Sequence, residues 1–258
     1  MAPEQKTSEE DNFIMGNRVT SLCKEIVDRI LAITMSILFF PIFVLISAVI
    51  KLSDPRHPIF FQQEVMGKNR TKFNFLKFRT MEPHEINYDL RKNNSDSKHG
   101  EVRLDDPRVT RLGRWLRRLK LDEIPQFLHV LSGKMSFVGP RPMDPIRFDH
   151  SDEFERQRLL VKPGLTGLAQ VTGNTKKSWE ERMQMDIWYI ANWTIALDIK
   201  IFFMTLGVVL FGERIRHSYH TRKITDHTFR LMKDHAPQPY KVREFASYGS
   251  VSDQHSKL

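Results

Sequence analysis

The longest run of apolar residues, Ile30 to Ile50, contains no charged side chain. As a helix it would be roughly 30 Å long, enough to cross the hydrocarbon core of a bilayer. Pro41 lies in its middle, removes one backbone hydrogen bond and predicts a kink between two arms of about 15 Å. Basic residues flank both ends, so the positive-inside rule gives no preferred direction. The pattern predicts a membrane helix that either bends and returns or spans with a kink.

A second pattern begins at about Val109. Its apolar residues follow the i, i+3, i+4, i+7 spacing of a one-sided helix, and they are Leu112, Trp115, Leu116 and Leu119. Arg111, Arg114 and Arg118 lie on another face, with Arg117 close by. This helix leads directly into Asp122-Glu123. An acidic pair beside guanidinium groups suits phosphate chemistry. The alternative is a solvated basic helix followed by an aspartate that caps the next helix, with Pro125 in its first turn.

Two short strand-like runs, Ile59–Gln62 and Phe73–Phe78, are separated by the turn-forming segment Gly67–Arg70. They predict a hairpin or a small sheet. Lys77 and Arg79 are two residues apart and therefore lie on one face of the second strand. Taken alone, this pattern favours a half-buried strand whose outer face is simply basic. The polar segment that follows, residues 81–101, is predicted to be a loop or a short exposed helix, and its expected function is that of a lid.

Gly139-Pro140-Arg141-Pro142 is a turn in which two prolines restrict the backbone around Arg141. A rigidly presented guanidinium can bind phosphate or carboxylate, although a plain turn has the same sequence. Residues 161–173 contain three glycines and a proline, which predicts a compact loop. This loop lacks the spacing of a P-loop and its following Lys-Ser/Thr.

Two helices are predicted towards the C-terminus. Residues 179–193 are helical and rich in aromatic side chains, and residues 194–211 are strongly apolar but interrupted by Asp198 and Lys200. The uninterrupted apolar part is too short to span a bilayer. It is either an amphipathic helix at the membrane interface, with tryptophans at headgroup level, or a core helix.

The net charge of +9 indicates acidic partners such as phosphorylated substrates, an anionic membrane surface or nucleic acid. The single cysteine, Cys23, excludes an internal disulfide and a zinc site built on several cysteines. No HExxH spacing is present, which argues against a zincin. Both ends of the chain are polar, which predicts tails over about 1–20 and 213–258.

Taken in order, these segments resemble the bacterial sugar transferase family, the small monotopic phosphoglycosyl transferases that start glycan assembly on a polyprenyl phosphate carrier. The resemblance covers about residues 24–212. Each motif is weak alone, but the ordered set is specific. The motifs are Lys24…Asp28 before the apolar run, Lys77–Met81, Asp106–Arg111, Leu121–Gln126, Gly139–Pro142, Lys162–Val171 and Trp179–Arg182.

The resemblance implies a mainly α fold with a small β element (α+β). It also implies a monotopic membrane enzyme with a Pro-kinked re-entrant N-terminal helix and interfacial amphipathic helices. The implied domains are a polar tail at 1–23, the re-entrant helix at 24–52, the catalytic domain at 53–212 and a polar extension at 213–258. The implied location is the cytoplasmic face of the bacterial inner membrane, and a homodimer is left open.

The implied reaction transfers a phosphosugar from a UDP-sugar to undecaprenyl phosphate and releases UMP, with Mg²⁺ as cofactor. Such a reaction serves the first membrane step of exopolysaccharide, capsule, O-antigen or glycoprotein glycan assembly. By the resemblance, Asp122 is the nucleophile that forms a phosphosugar–aspartyl intermediate and is also a metal ligand, and Glu123 is its partner. The residues expected to contact the phosphates and the donor are Lys77, Arg79, Arg117 and Arg141.

Three departures from the family pattern affect these expectations. Phe40-Pro41 replaces the usual Ser-Pro, so a hydroxyl that bonds back to the helix is missing unless Ser36 replaces it. Asn174 stands where an arginine is common, with Lys176 or Lys177 as candidate substitutes, and Leu119-Lys120 replaces Thr-Ser. Two rival functions remain: a catalytically weak relative that acts as a membrane scaffold, and a membrane-attached nucleic-acid binder. No recognisable nucleic-acid module supports the second, so nucleic acid is not an expected partner.

Overall fold

The computed structural model describes residues 18–82, 106–146, 148, 153–173 and 177–211. Within these ranges the chain is mostly helical with two small sheets, as predicted. The α-helices are α1 (Arg18–Ser53), α2 (Arg111–Arg118), α3 (Phe127–Leu131), α4 (Glu153–Arg158), α5 (Leu168–Val171), α6 (Trp179–Ala191) and α7 (Ile195–Phe211). The strands are β1 (Phe60–Met66), β2 (Lys72–Phe78), β3 (Ser136–Val138) and β4 (Gly164–Thr166), and 3₁₀ helices occupy Lys68–Arg70 and Leu121–Gln126.

Helix α1 has 36 residues, continues through Pro41 and is therefore about 54 Å long. It begins six residues before the predicted boundary, so residues 18–23, predicted to belong to the polar tail, are helical instead. Lys51 lies in its last turn, where a cation complements the helix dipole, and Lys51 Nζ donates to the carbonyl oxygen of Pro55 at 2.7 Å. Pro55 then prevents the helix from continuing.

One side of α1 contacts the rest of the chain along its length. Lys24 near the N-terminal end donates to the carbonyl oxygen of Val138 at 3.2 Å. Phe39 packs against Phe127 with ring centroids 6.1 Å apart, and Ile50 near the C-terminal end is buried against Phe78. Both ends of the helix are therefore attached to the same body of protein.

The other side of α1 is apolar and exposed. Its exposed residues between the two ends include Ile33, Ile37, Leu38, Phe40, Leu45 and Val49. Among the described helices, α1 is the one that is long and apolar enough to cross a membrane. Only 11% of its most apolar window is buried, so it differs from the core helix of a soluble protein.

The hydroxyl of Ser36 does not replace the one missing at position 40. Ser36 Oγ is buried and has no hydrogen-bond partner among the described residues. The hydroxyls on either side of Pro41 that do bond back one turn include those of Thr34 and Ser47, which donate to the carbonyl oxygens of Ile30 and Phe43. The back-bonds in this region therefore lie on either side of Pro41.

The predicted hairpin is present, and β1 is longer than the sequence pattern indicated. β1 and β2 pair antiparallel from Phe60 opposite Phe78 to Met66 opposite Lys72. Phe60 and Phe78 stack on the inner face with ring centroids 5.5 Å apart. This inner face anchors β2 in the core, so that Lys77 projects from the neighbouring position.

Helix α2 begins after Thr110, whose Oγ1 accepts a hydrogen bond from Gly113 N at 2.8 Å. The predicted apolar stripe is partly wrong, because Trp115 is 65% exposed and Leu119 is also exposed. Leu116 and Gly113 are buried, and the backbone of Thr80 approaches Gly113 so closely that an added Cβ would overlap the carbonyl oxygen of Thr80. The close contact therefore runs through Gly113 and Leu116, a pairing that a count of apolar residues misses.

The prediction of a compact loop over residues 161–173 is also wrong, because this segment contains β4 and α5. β4 pairs parallel with β3, Ser136 opposite Gly164 and Val138 opposite Thr166. Such short strands escape pattern recognition, since three residues cannot show an alternation.

Helix α6 confirms the predicted C-terminal helix and begins with a capping box between Ser178 and Glu181. In α7, Ile199, Phe203, Leu206 and Leu210 form an exposed apolar stripe, while Ile201 is fully buried. The exposed stripe favours an interfacial helix over a core helix. The predicted loop or lid at residues 83–101, the tail at 1–17 and the extension at 213–258 lie outside the described residues.

His129 on α3 packs against β2 and binds its backbone. Its Nε2 accepts a hydrogen bond from the backbone N–H of Leu76 at 3.0 Å, and its ring stacks on Phe75. Burial, with a contribution from Lys134, lowers the pKa of His129 below its ordinary value of 6.5. The fold therefore selects the neutral ring, because a protonated Nε2 cannot accept the hydrogen bond.

Because of this interaction, we expect the folded protein to become less stable as the pH is lowered. The folded-state pKa is lowered, so the stabilisation is complete above 6.5 and is lost as the pH falls through the folded-state value. His129→Gln keeps an acceptor that does not titrate. Between about pH 7.5 and pH 5.5, the thermal midpoint of wild-type protein should therefore fall further than that of His129→Gln. The effect corresponds to about one hydrogen bond, 0.5–1.5 kcal/mol, and equal losses in both proteins would contradict it.

Candidate active site

Asp122 and Glu123 lie in the first turn of the 3₁₀ helix Leu121–Gln126. Lys120 precedes this helix in the left-handed conformation, with φ of 58°, and so reverses the chain after α2. Asp122 is not the capping residue of the alternative interpretation, since Lys120 occupies the N-cap position. The Asp122 residue is 7% exposed, and the Glu123 side chain is 18% exposed. Two adjacent carboxylates are thus partly removed from water.

Two cations share one oxygen of Glu123. Lys77 Nζ and Arg141 Nη2 each lie 3.6 Å from Glu123 Oε1. Lys77 comes from β2 and Arg141 from the Gly139–Pro142 turn, which are distant in sequence. The fold therefore brings together the acidic pair and two of the four basic residues predicted to bind substrate.

The two carboxylates differ in their electrostatic surroundings. Burial and the adjacent Glu123 raise the pKa of Asp122, against the attraction of Lys77, Lys120 and Arg117. Burial would raise the pKa of Glu123 too, but Lys77 and Arg141 outweigh it and hold that pKa at about 2. Burial lowers the pKa of Lys77, and Glu123 opposes this shift. Glu123 is thus neutralised by cations, whereas Asp122 has the more basic carboxylate.

Arg117 is the third predicted contact, and it extends from α2 towards the acidic pair. Its Nε donates to Thr80 Oγ1 at 2.8 Å, and the Asp122 carboxylate is its strongest charged neighbour. Thr80 is itself buried and also accepts the N–H of Thr110 on its carbonyl oxygen. The segment after β2 therefore orients Arg117 through Thr80.

The structure places the contacts of Arg79 elsewhere. Arg79 Nη1 forms an ion pair with Asp54 Oδ2, and Arg79 Nε donates to the carbonyl oxygen of Pro58 at 2.9 Å. Asp54 also holds His57 Nδ1 at 2.8 Å. Arg79 thus ties β2 to the end of α1, and its predicted role in binding the donor stays a prediction.

The Gly139–Pro142 turn is fixed from several sides. Gly139 N donates to the carbonyl oxygen of Thr166 at 2.9 Å, and a Cβ on Gly139 would lie 2.7 Å from the carbonyl oxygen of Lys162. Pro140 O accepts from Gly164 N at 2.8 Å. β4 therefore stabilises, through backbone hydrogen bonds, the turn that carries Arg141.

A family model for bacterial sugar transferases matches residues 19–212, which include all of these groups. The chain belongs to the bacterial sugar transferase family. Among its relatives is the uncharacterized sugar transferase EpsL of Bacillus subtilis, 40% identical over 163 residues, which cover 63% of this chain and 75% of EpsL. The exopolysaccharide production protein ExoY of Rhizobium meliloti is 36% identical over 74% of this chain and 87% of its own length.

Some relatives of this bacterial sugar transferase are much longer than the chain. The UDP-glucose:undecaprenyl-phosphate glucose-1-phosphate transferase of Escherichia coli is 36% identical over 199 residues, which cover 73% of this chain and 40% of that protein. The galactosyl transferase CpsE of Streptococcus agalactiae is matched over 35% of its length. The chain thus spans less than half of these two relatives.

The acidic pair of this sugar transferase fits the magnesium expected from the resemblance, provided that the substrate supplies further ligands. Among the described residues, no group of three or more His, Cys, Asp or Glu side chains is close enough to form a metal site. Mg²⁺ commonly takes only one or two carboxylates and completes its shell with water and substrate phosphates. Asp122, with Glu123 beside it, is the donor set that meets this pattern.

Sequence reasoning missed two residues of this site. Lys120 attracts both carboxylates of the pair, and Thr80 orients Arg117. Thr80 stands within the Lys77–Met81 motif, and Lys120 stands at one of the departures from the family pattern. Asn174 and Lys176 lie outside the described residues. Lys177 is described, and its side chain lies against Gly173, where an added Cβ would be 2.6 Å from Lys177 Cε.

Proposed function

We propose that this protein transfers a sugar phosphate from a UDP-sugar to polyprenyl phosphate and releases UMP. The observation that carries the proposal is the buried Asp122-Glu123 pair, on which Lys77 and Arg141 converge from separate elements. Relatives named as undecaprenyl-phosphate sugar-1-phosphate transferases support the same donor and acceptor classes. Magnesium, when bound by Asp122 and the diphosphate, supplies charge neutralisation for the reacting phosphates.

In the first half-reaction, a carboxylate oxygen of Asp122 attacks the phosphorus that bears the sugar. The bond from this phosphorus to the bridging oxygen breaks, and UMP leaves with the electron pair. The raised pKa of Asp122 reflects a more basic, poorly solvated carboxylate, which suits a nucleophile. Arg141 and Lys77 offset the negative charge of the diphosphate, which would otherwise repel Asp122.

In the second half-reaction, a phosphate oxygen of the polyprenyl carrier attacks the same phosphorus. The bond to Asp122 breaks, the carboxylate is restored and the product is a polyprenyl diphosphate sugar. Splitting the transfer in this way allows a soluble donor and a lipid acceptor to use one site in turn. Glu123, held by Lys77 and Arg141, keeps both cations oriented throughout.

The membrane helix supports this assignment. Contacts at both ends of α1 attach it to the catalytic domain, as expected if the helix re-enters and leaves on the cytoplasmic side. A straight span would carry one end to the opposite face of the bilayer. The re-entrant arrangement would hold Asp122 near the depth of the acceptor phosphate. Nearby lysines and arginines would each add about 1 kcal/mol of attraction to an anionic surface.

The direct test is a panel of UDP-sugars incubated with purified protein and undecaprenyl phosphate, with UMP as the readout. With lipid acceptor present, at least one UDP-sugar should give continuous release of UMP. Without lipid acceptor, that UDP-sugar should give at most one UMP per enzyme molecule, because only Asp122 can then receive the phosphosugar. If no UDP-sugar in a broad panel yields UMP, the proposal is contradicted. The panel also distinguishes the enzyme from an inactive scaffold, which would release none.

A further inference from the structure

Arg158, at the end of α4, is a buried guanidinium next to the turn that carries Arg141. Its side chain is 4% exposed and its ion-pair partner, Asp186 on α6, is 5% exposed. Arg158 Nη2 lies 2.9 Å from Asp186 Oδ2 and donates to the carbonyl oxygen of Arg141, also at 2.9 Å. One nitrogen of Arg158 therefore joins α6 to the peptide of Arg141.

This arrangement is costly by itself. Burying an ion pair carries a desolvation penalty that often exceeds its attraction. Moreover, Nε and Nη1 of Arg158 are buried and have no hydrogen-bond partner among the described residues. Unsatisfied buried donors cost free energy. A well-packed apolar pair would avoid both penalties, so stability alone is a poor explanation of this pair.

The geometry of the turn indicates what the pair does. Pro140 and Pro142 restrict the backbone on either side of Arg141, and the residue before a proline is confined to extended conformations. The remaining rotation of the Arg141 peptide would swing its carbonyl oxygen and redirect its side chain. The hydrogen bond from Arg158 fixes that oxygen, and Arg141 Nη2 then lies 3.6 Å from Glu123.

We propose that Arg158, held by Asp186, is a positioning residue for Arg141 that sets donor affinity. This inference rests on the proposed function, because the readout is the donor's KM. Arg158 acts through the backbone of Arg141 and does not touch the reacting atoms. Its loss should therefore weaken binding of the UDP-sugar more than it slows the reaction of bound donor.

The test is a double-mutant cycle of Arg158→Lys and Arg141→Ala. A lysine keeps the charge but lacks the planar fork that serves both partners. In the wild-type background we expect Arg158→Lys to raise the donor KM about tenfold and to change kcat less than about threefold. In the Arg141→Ala background the same change should have no further effect. If the double variant instead raises the donor KM by the product of the two single effects, the proposal is overturned, because Arg158 would then act independently of Arg141.

Two further variants control for packing. Arg182→Lys removes the other guanidinium that stacks on Trp179, whose Cζ lies 5.3 Å from the ring centre compared with 5.7 Å for Arg158, and it keeps the positive charge that attracts Asp186. We expect this variant to keep the wild-type donor KM, and a tenfold increase would overturn the proposal. Asp186→Asn keeps an acceptor for Arg158 and should raise the donor KM less than Arg158→Lys does. If Arg158→Lys fails to fold, the donor KM of Asp186→Asn is compared with that of wild-type protein instead. An unchanged donor KM in Asp186→Asn would likewise contradict the proposal.

The same assay separates this inference from the proposed function. Wild-type protein that releases UMP, with Arg158→Lys at the wild-type donor KM, would overturn the positioning role and leave the function standing. Wild-type protein that releases no UMP from any UDP-sugar would overturn both.

Discussion

Replacing Asp122 with asparagine should abolish UMP release from the UDP-sugar. The amide has nearly the same shape as the carboxylate but cannot attack phosphorus to form a stable acyl phosphate. The 3₁₀ helix around it should be unaffected, because Lys120 and not Asp122 occupies the N-cap position. Because the variant lacks the proposed covalent nucleophile, turnover should fall by at least about 10³-fold. The measurement is steady-state UMP release by purified protein.

Glu64→Gln is the matched control for this change. It also converts a carboxylate to an amide, but Glu64 lies on the exposed outer part of the hairpin, paired with Lys72. We expect wild-type turnover from this variant, since exposed ion pairs contribute little to stability. Wild-type turnover from Asp122→Asn itself would contradict the proposed nucleophile, once mass spectrometry has excluded deamidation back to aspartate.

Removing divalent metal should have the second largest effect. The acidic pair has two adjacent carboxylates, and Glu123 is already engaged by Lys77 and Arg141. Protein cations alone therefore leave a diphosphate only partly neutralised beside Asp122. A metal contributes several kcal/mol to such reactions, so EDTA should reduce UMP release by about 10²-fold or more.

Added Mg²⁺ should restore the activity, and EDTA saturated with Mg²⁺ beforehand should have no effect. Because the described residues offer no cluster of three metal ligands, the metal should bind weakly to protein without donor. Activity that persists unchanged in excess EDTA would remove magnesium from the proposed mechanism.

Local patterns predicted several parts of the molecule. The hairpin, the helix at residues 179–191 and the apolar N-terminal helix each follow from spacing and turn residues. The ordered motifs also indicated the family, which the family model confirms. The two helices and the hairpin depend on residues that are near one another in sequence, so the sequence pattern predicts them.

Long-range packing decided what the sequence patterns did not predict. Arg79 and Lys77 share a strand face by periodicity, but Asp54, 25 positions away, attracts Arg79 to the end of α1. Trp115 fits the apolar stripe of α2, but the close contact runs through Gly113 and Thr80 and leaves the tryptophan exposed. The role of Arg158 likewise depends on Asp186 and Arg141, which periodicity cannot bring together.

The most direct test of the proposed mechanism is to incubate the enzyme with UDP-sugar in the absence of lipid acceptor. The reaction is then quenched, and the protein is analysed by peptide mass spectrometry. A phosphosugar adduct should appear on Asp122, equal in amount to the UMP released, and should disappear when undecaprenyl phosphate is added. The Asp122→Asn variant should carry no adduct. Product formation at the wild-type rate without any adduct on Asp122 would contradict the account.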